Sequence, residues 1–292
     1  MGSLMRPDAP RPVRQEPREI VELRTLGTAH PELADAVAMQ IELVTYQRRL
    51  QARIPTPIAP LSRPAAADRL RLGERLVDFE AIPLDWSAAR QAVRATADIL
   101  RRHNNLDGDD HAVITALVRD AHSFERLLKE WYAETGVPTP RHADAATHRT
   151  DYPAILEQVC ALALRPFLAR SAEALSQGVD LTQWMRPHCP TCGAEPEFAA
   201  IQGDESRLLT CGRCEMRWPW LAVGCPWCLQ VDRTRLRTFT SPDRRYRVIA
   251  CDDCRRYLKA YDGRGATRPV LPNVDTIATL PLDAALMQQG YG

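Results

Sequence analysis

At 292 residues, 45% of them hydrophobic and 26% charged, the chain is long enough to bury one substantial core and a smaller satellite, so two unequal domains are expected. A formal net charge of +1 excludes a global field that would draw the molecule to nucleic acid, an acidic substrate or an anionic membrane, and any partner must be recognised locally. The first twenty residues contain no signal-peptide core and no run of about 20 apolar residues occurs anywhere, which leads us to expect a cytoplasmic protein without membrane insertion.

Residues 1–18 read as a disordered leader, with Pro7, Pro10, Pro12 and Pro17 set among arginines and little to bury. Residues 19–184 read as a helical domain. From about His30 the apolar residues recur at helical spacing: Leu33, Val37, Ile41 and Val44, then Leu70, Leu76 and Phe79, then Val93, Ala97 and Leu100. Asp109–Thr135 and Tyr152–Leu175 continue the pattern, the latter with an expected kink at Pro166. Breaks fall at Pro55, Pro57 and Pro60, at Pro83 ahead of Asp85, at Asn104–Gly108 and at Gly136–Pro140, giving five or six helices.

Near Trp184–His188 the helix formers thin out, and cysteines, arginines, aromatics and β-branched residues take over. We place a first metal module over 185–222, a second over 223–264 and a C-terminal segment over 265–292. Arg207–Thr210, Leu236–Thr240 and Tyr246–Ala250 read as short strands ending at or near cysteine pairs, and Val274–Gly292 as a strand followed by a short helix. The fold class is therefore α+β: an all-α N-terminal domain followed by two tandem modules of rubredoxin or zinc-ribbon type.

Eight of the nine cysteines lie within 66 residues as four C-x-x-C pairs: Cys189 and Cys192, Cys211 and Cys214, Cys225 and Cys228, Cys251 and Cys254. In a reducing compartment such pairs ligate metal or do redox chemistry more often than they form structural disulfides. Two thiolates two residues apart wrap one ion in a tight knuckle, and a hairpin returns the chain with the second knuckle. Eighteen residues separate the first two pairs and twenty-two the last two, with ten between the halves. We therefore assign one site to Cys189, Cys192, Cys211 and Cys214 and a second to Cys225, Cys228, Cys251 and Cys254, an interleaved pairing being the alternative. A four-sulfur tetrahedron accepts zinc or a single iron, and spacing does not choose between them. Gly193 follows the first knuckle, where positive φ is favoured, whereas Glu215, Leu229 and Arg255 follow the others, so the first knuckle is expected to be the most regular.

Arg186–Lys259 carries 13 basic and 9 acidic side chains, a local excess of four positive charges. Two divalent tetrathiolate sites would each contribute roughly −2 and cancel it, which argues against a zinc-ribbon nucleic-acid binder. Thiol–disulfide exchange or sulfur handling by one C-x-x-C pair is the second alternative, but such enzymes use one pair on a strand-to-helix turn, and four pairs in tandem favour ligation. No phosphate loop, nucleophile motif or catalytic zinc motif is present, so no catalytic residue is assigned and the protein is expected not to be an enzyme.

Taken in order, HCPTCGAEP, RLLTCGRCEMRW, VGCPWC, ACDDCRRYLKAYD and the tail VDTIATLPLDAALMQQGYG resemble the formate dehydrogenase accessory protein family, FdhE type, over about His30–Tyr291. The resemblance implies a helical domain carrying two rubredoxin-like modules, iron as the favoured metal, and the eight cysteines as ligands. It also implies a cytoplasmic chaperone or activation factor that binds the catalytic subunit of a molybdenum- or tungsten-containing formate dehydrogenase. Two departures stand out: a Pro/Arg-rich leader, and a chain that stops just after Tyr291 where a short further tail is expected.

The remaining candidates have plainer readings. Cys160, mid-helix among Val159, Leu162 and Leu164, reads as a buried inert thiol. His188 reads as a neighbour of the metal ligands or a surface residue, since four thiolates already complete the site. His103, His111 and His122 read as solvated or capping. Trp218, Trp220 and Trp227 are expected to cover the sulfurs, and Asp252 and Asp253 to be solvated loop residues.

Overall fold

The computed structural model describes residues 16–57, 61–133, 154–203, 206–220, 224–266 and 268–292. Most of the expected leader, Pro60, the break at Gly136–Pro140 and the start of the last helical segment at Tyr152 lie outside the described residues.

Seven α-helices precede the sheet among the described residues: α1 (Arg18–Ala29), α2 (Ala34–Gln51), α3 (Arg63–Leu72), α4 (Trp86–Arg102), α5 (Gly108–Arg119), α6 (Ala121–Ala133) and α7 (Ala154–Ser176). The count exceeds expectation for two reasons. First, α1 begins well before His30, burying Ile20 and Leu23, whose i, i+3 spacing is too short a run to stand out beside the polar residues around it. Second, the segment expected over 109–135 divides at Asp120, whose extended backbone ends α5 while its carboxylate accepts hydrogen bonds from the His122 N–H and the Ser123 hydroxyl.

Helix α4 shows how local sequence sets a boundary and a face. The Asp85 side chain accepts from the Ala88 N–H at 2.7 Å, and Ala89, Ala92, Val93, Thr96, Ala97 and Leu100 then form one buried stripe. Asp85→Ala is expected to lower stability by about 1 kcal/mol, read from urea denaturation.

Six strands follow: β1 (Pro196–Ile201), β2 (Arg207–Cys211), β3 (Arg217–Trp220), β4 (Leu236–Thr240), β5 (Tyr246–Cys251) and β6 (Tyr257–Asp262), in the order β3-β2-β1-β6-β5-β4. Each half is an antiparallel meander, and the halves join through a parallel pairing of β1 with β6 that sets Phe198 against Lys259 and Ile201 against Asp262. The α+β class is the one expected. The segment after the sheet differs, because two helices, α8 (Pro272–Ala278) and α9 (Leu280–Gln288), stand where a strand and a helix were expected. Pro272 pre-sets the first turn of α8, and Val274 and Ile277, three apart, pack together against Leu23, Leu33 and Val37.

Alternate residues of the central strands face opposite sides. Ala199, Ile201, Leu258 and Ala260 join the core of α2 and α4–α7, whereas Phe198, Tyr246 and Tyr261 on the other face pack with Val270, Ala278 and Leu282. The first four motif cysteines belong to the same continuous core as the helices.

Candidate metal centres

Four copies of one turn build the two centres. In each, the N–H of the first cysteine donates to the carbonyl five residues on, at 2.8–2.9 Å: Cys189 to Ala194, Cys211 to Met216, Cys225 to Gln230 and Cys251 to Arg256. The N–H four residues on returns to the cysteine carbonyl, from Gly193, Glu215, Leu229 and Arg255. Those four residues all take positive φ, 79°, 59°, 61° and 58° respectively. The expectation that the glycine knuckle would be the most regular is therefore corrected: the hydrogen-bond pattern demands left-handed backbone four times, and three side chains accept a strain of about 1–2 kcal/mol each.

The sulfurs group as Cys189, Cys192, Cys211 and Cys214, and as Cys225, Cys228, Cys251 and Cys254, with all four ligand atoms of each group within 4.8 Å of one another. Sγ separations are 3.5 Å for Cys189–Cys214 and Cys192–Cys211, and 3.6 Å for Cys225–Cys254 and Cys228–Cys251. A metal–sulfur bond of about 2.3 Å gives a tetrahedral edge of about 3.8 Å, whereas a disulfide would need about 2.05 Å. None of the nine cysteines forms a disulfide.

Electrostatics favour a cation at the first centre. Burial pushes the Cys189 and Cys214 thiols well up, while hydrogen bonds from the neighbouring thiols hold Cys192 well down. Four crowded sulfurs cannot all ionise against one another, and a divalent ion at the centre removes that conflict. The Arg213 N–H also points at Cys211 Sγ, at 3.3 Å.

The helical region grips the first centre. Leu76 and Val77 N–H groups donate to the Pro190 and Thr191 carbonyls at 2.8 and 3.0 Å, and the Tyr132 hydroxyl donates to the Val77 carbonyl. The Arg213 guanidinium lies 3.9 Å over the Trp131 ring and donates to the Trp131 carbonyl, and Arg165 donates to the Gly212 carbonyl at 2.7 Å. None of these gripping residues was a sequence candidate. Arg213 alone left a signal, since it sits inside C-G-R-C.

No family profile matches the chain. Over 108 residues it is 32% identical to the FdhE homologue of Shewanella oneidensis, and over 109 residues 31% identical to FdhE of an Escherichia coli O127:H6 strain. Each alignment covers 36% of this chain and 35% of the relative, so the chain matches about a third of the curated relatives' length. The crystal structure of FdhE from Pseudomonas aeruginosa superposes over 94% of this chain and 91% of that one, with a TM-score of 0.59 and 21% identity. The chain thus resembles FdhE proteins over that third and shares the fold of the Pseudomonas aeruginosa FdhE.

The other candidates fall as follows. Trp218 and Trp220 are buried in the core that holds the first centre, and Trp227 packs at its edge beneath the Arg256 guanidinium, 4.6 Å from the ring. His188 is buried, its ring edge-on to Trp184 and its Nε2 3.4 Å from the Gly73 carbonyl, and burial lowers its pKa. His103 and His111 pair with Glu42 and Asp98 at 3.1 and 2.7 Å. Asp252 and Asp253 are not simply solvated: Asp252 accepts from Arg237 and the Tyr291 hydroxyl, and Asp253 from Arg235 and Gln230.

Cys160 is buried in α7, and burial pushes its thiol up to about 12. Iodoacetamide at pH 8 is expected to leave Cys160 unmodified in the native chain and to label it only after denaturation, as peptide mass spectrometry would show.

Proposed function

We propose that this chain is a cytoplasmic accessory factor needed to form active formate dehydrogenase, and that it binds the molybdenum- or tungsten-containing catalytic subunit through or beside two tetracysteine metal modules. The observation that carries this reading is the pairing of two complete tetrathiolate sets on a fold shared with a known FdhE structure. The ligands are Cys189, Cys192, Cys211 and Cys214 in one site and Cys225, Cys228, Cys251 and Cys254 in the other. Iron is the favoured metal on the family resemblance; zinc fits the same donors.

The second module offers the docking face. Leu229 is 54% and Val231 71% exposed, both beside the second centre, and Leu229 holds a left-handed backbone that glycine would adopt more easily. Apolar side chains kept in water at a strained position are explained by a partner that covers them.

The test is anaerobic affinity purification of the chain from its host, beside a Cys211→Ser, Cys251→Ser double variant and a Leu229→Gly, Val231→Asp double variant. Recovery of a formate dehydrogenase catalytic subunit with the unaltered chain, and its loss with either variant, is expected. Failure of the unaltered chain to retain any dehydrogenase subunit would remove the accessory reading and leave the metal centres standing.

A further inference from the structure

The two centres have the same donors in unlike settings. All four cysteines of the first are buried in the main core, clamped by Leu76, Val77, Arg165 and Arg213. In the second, Cys228 and Cys254 are half-exposed, and the knuckle carrying Leu229 points into water.

What secures the second centre is the end of α9 and the residues that follow. The Tyr291 hydroxyl donates to Asp252, between the two cysteines of the fourth knuckle, at 2.5 Å. The Arg255 guanidinium lies 4.0 Å over the Tyr291 ring, donates from Nε to the Gly290 carbonyl at 3.0 Å and from Nη2 to the Gln289 carbonyl. The Gly292 N–H donates back to the Arg255 carbonyl at 2.8 Å. Every one of these bonds ends on Asp252 or Arg255, and Arg255 is the strained, positive-φ residue of that knuckle. Beneath them Tyr291 and Leu286 cover Val248 and Ala250.

We propose that the second centre is the exchangeable metal site of the pair, that the ion held there latches residues 286–292 onto the sheet, and that the first centre is a permanent part of the core. The inference rests on the metal-holding half of the function proposed above. A competing ligand reaches the Cys228 and Cys254 sulfurs from solvent and displaces them from the ion one at a time, each freed thiolate taking a proton from water. The first centre offers no such approach without opening the core. Once the ion leaves, only the turn's own hydrogen bonds and those to residues 289–292 oppose the strain at Arg255; as they open, its carbonyl and guanidinium swing away from Gln289–Gly292, and the apolar surface of Val248, Ala250 and Leu286 is uncovered. Metal occupancy is thereby converted into a change of exposed surface on the second half of the sheet.

The experiment uses the full chain loaded with two zinc ions, with release to 4-(2-pyridylazo)resorcinol followed by absorbance and hydrogen–deuterium exchange read at 284–292 and at 121–133. One ion is expected to leave about ten-fold or more faster than the other, and exchange at 284–292 to rise with it while 121–133 stays protected until the second departs. Cys228→Ser should bind one ion and show only the slow phase. Gly290→Ala, which adds a Cβ 3.1 Å from Arg255 Nη2 at φ 77°, and Tyr291→Phe should raise exchange at 284–292 with both ions still bound. Equal release rates, or a slow phase lost in Cys228→Ser, would overturn the exchangeable-site assignment; unchanged exchange at 284–292 after the first ion leaves would overturn the latch. Loading of fewer than two ions by the unaltered chain would instead sink the metal reading itself, and none of these readouts involves formate dehydrogenase.

Discussion

Cys192→Ser is expected to release the metal of the first centre and to destabilise the helical region with it. The serine hydroxyl is a poor substitute for a thiolate, and three sulfurs would remain in a core that excludes water. Structural tetrathiolate binding energies are about 10–16 kcal/mol and appear as folding energy, so weakening the site should cost about 4 kcal/mol or more. For a chain of this size that lowers the melting temperature by about 10 °C. The effect spreads because Leu76, Val77, Trp131 and α7 all bond to the first two knuckles. Cys254→Ser should lose its own ion with a clearly smaller fall in melting temperature, since among the described residues its knuckle bonds to α9 and the residues after it rather than to a helix before the sheet. Circular dichroism melts combined with metal analysis of both variants decide the matter, and unchanged metal content and stability in Cys192→Ser would contradict the account.

The second large effect lies far from the sulfurs. Asp275, at 0% exposure, accepts from the Tyr246 hydroxyl at 2.8 Å and the Leu271 N–H at 2.7 Å, and pairs with Arg268. Arg268 reaches on to Glu22 of α1 at 4.0 Å, so a single carboxylate joins β5, α8 and the first helix. Breaking a buried pair from one side leaves the other charge uncompensated, and Asp275→Ala should cost about 3–5 kcal/mol. Tyr246→Phe removes only one of the bonds and should cost about 1 kcal/mol. Urea denaturation measures both, and a loss under about 1 kcal/mol for Asp275→Ala would show that the network is not structural.

The grouping of the eight cysteines into two sets was the most legible part of the sequence because a C-x-x-C knuckle is a local device: spacing alone brings two sulfurs together, and the linker lengths favour the knuckles that meet. The sheet was less legible. Strand β1 lies between two neighbours and buries residues on both faces, so Pro196–Ile201 shows no clean alternation. Strand β6 hides Lys259, whose ammonium pairs with Asp283 of α9 at 2.6 Å, and a lysine there reads as solvent-facing. Pro219 argues against a strand at Trp218–Trp220, and β3 tolerates it because it lies at the sheet edge. The run Val274–Ile277 carries β-branched residues that suggest extended chain, yet the helix forms because the face it makes meets α1 and α2, 230 or more residues earlier. The same limit applies around the centres. Leu76, Arg165 and Tyr291 act on the knuckles only through tertiary contact, and the left-handed backbone at Glu215, Leu229 and Arg255 follows from a hydrogen-bond pattern that residue identity does not reveal.

The proposed function and the exchangeable site both require two tetrathiolate metal ions per chain. The most direct measurement is elemental analysis with X-ray absorption on the full chain purified without oxygen. Two ions of iron or zinc per chain, each with four sulfurs at about 2.3 Å, is the predicted result. One ion or none, nitrogen or oxygen in the first coordination sphere, or cysteines recovered as disulfides would contradict it.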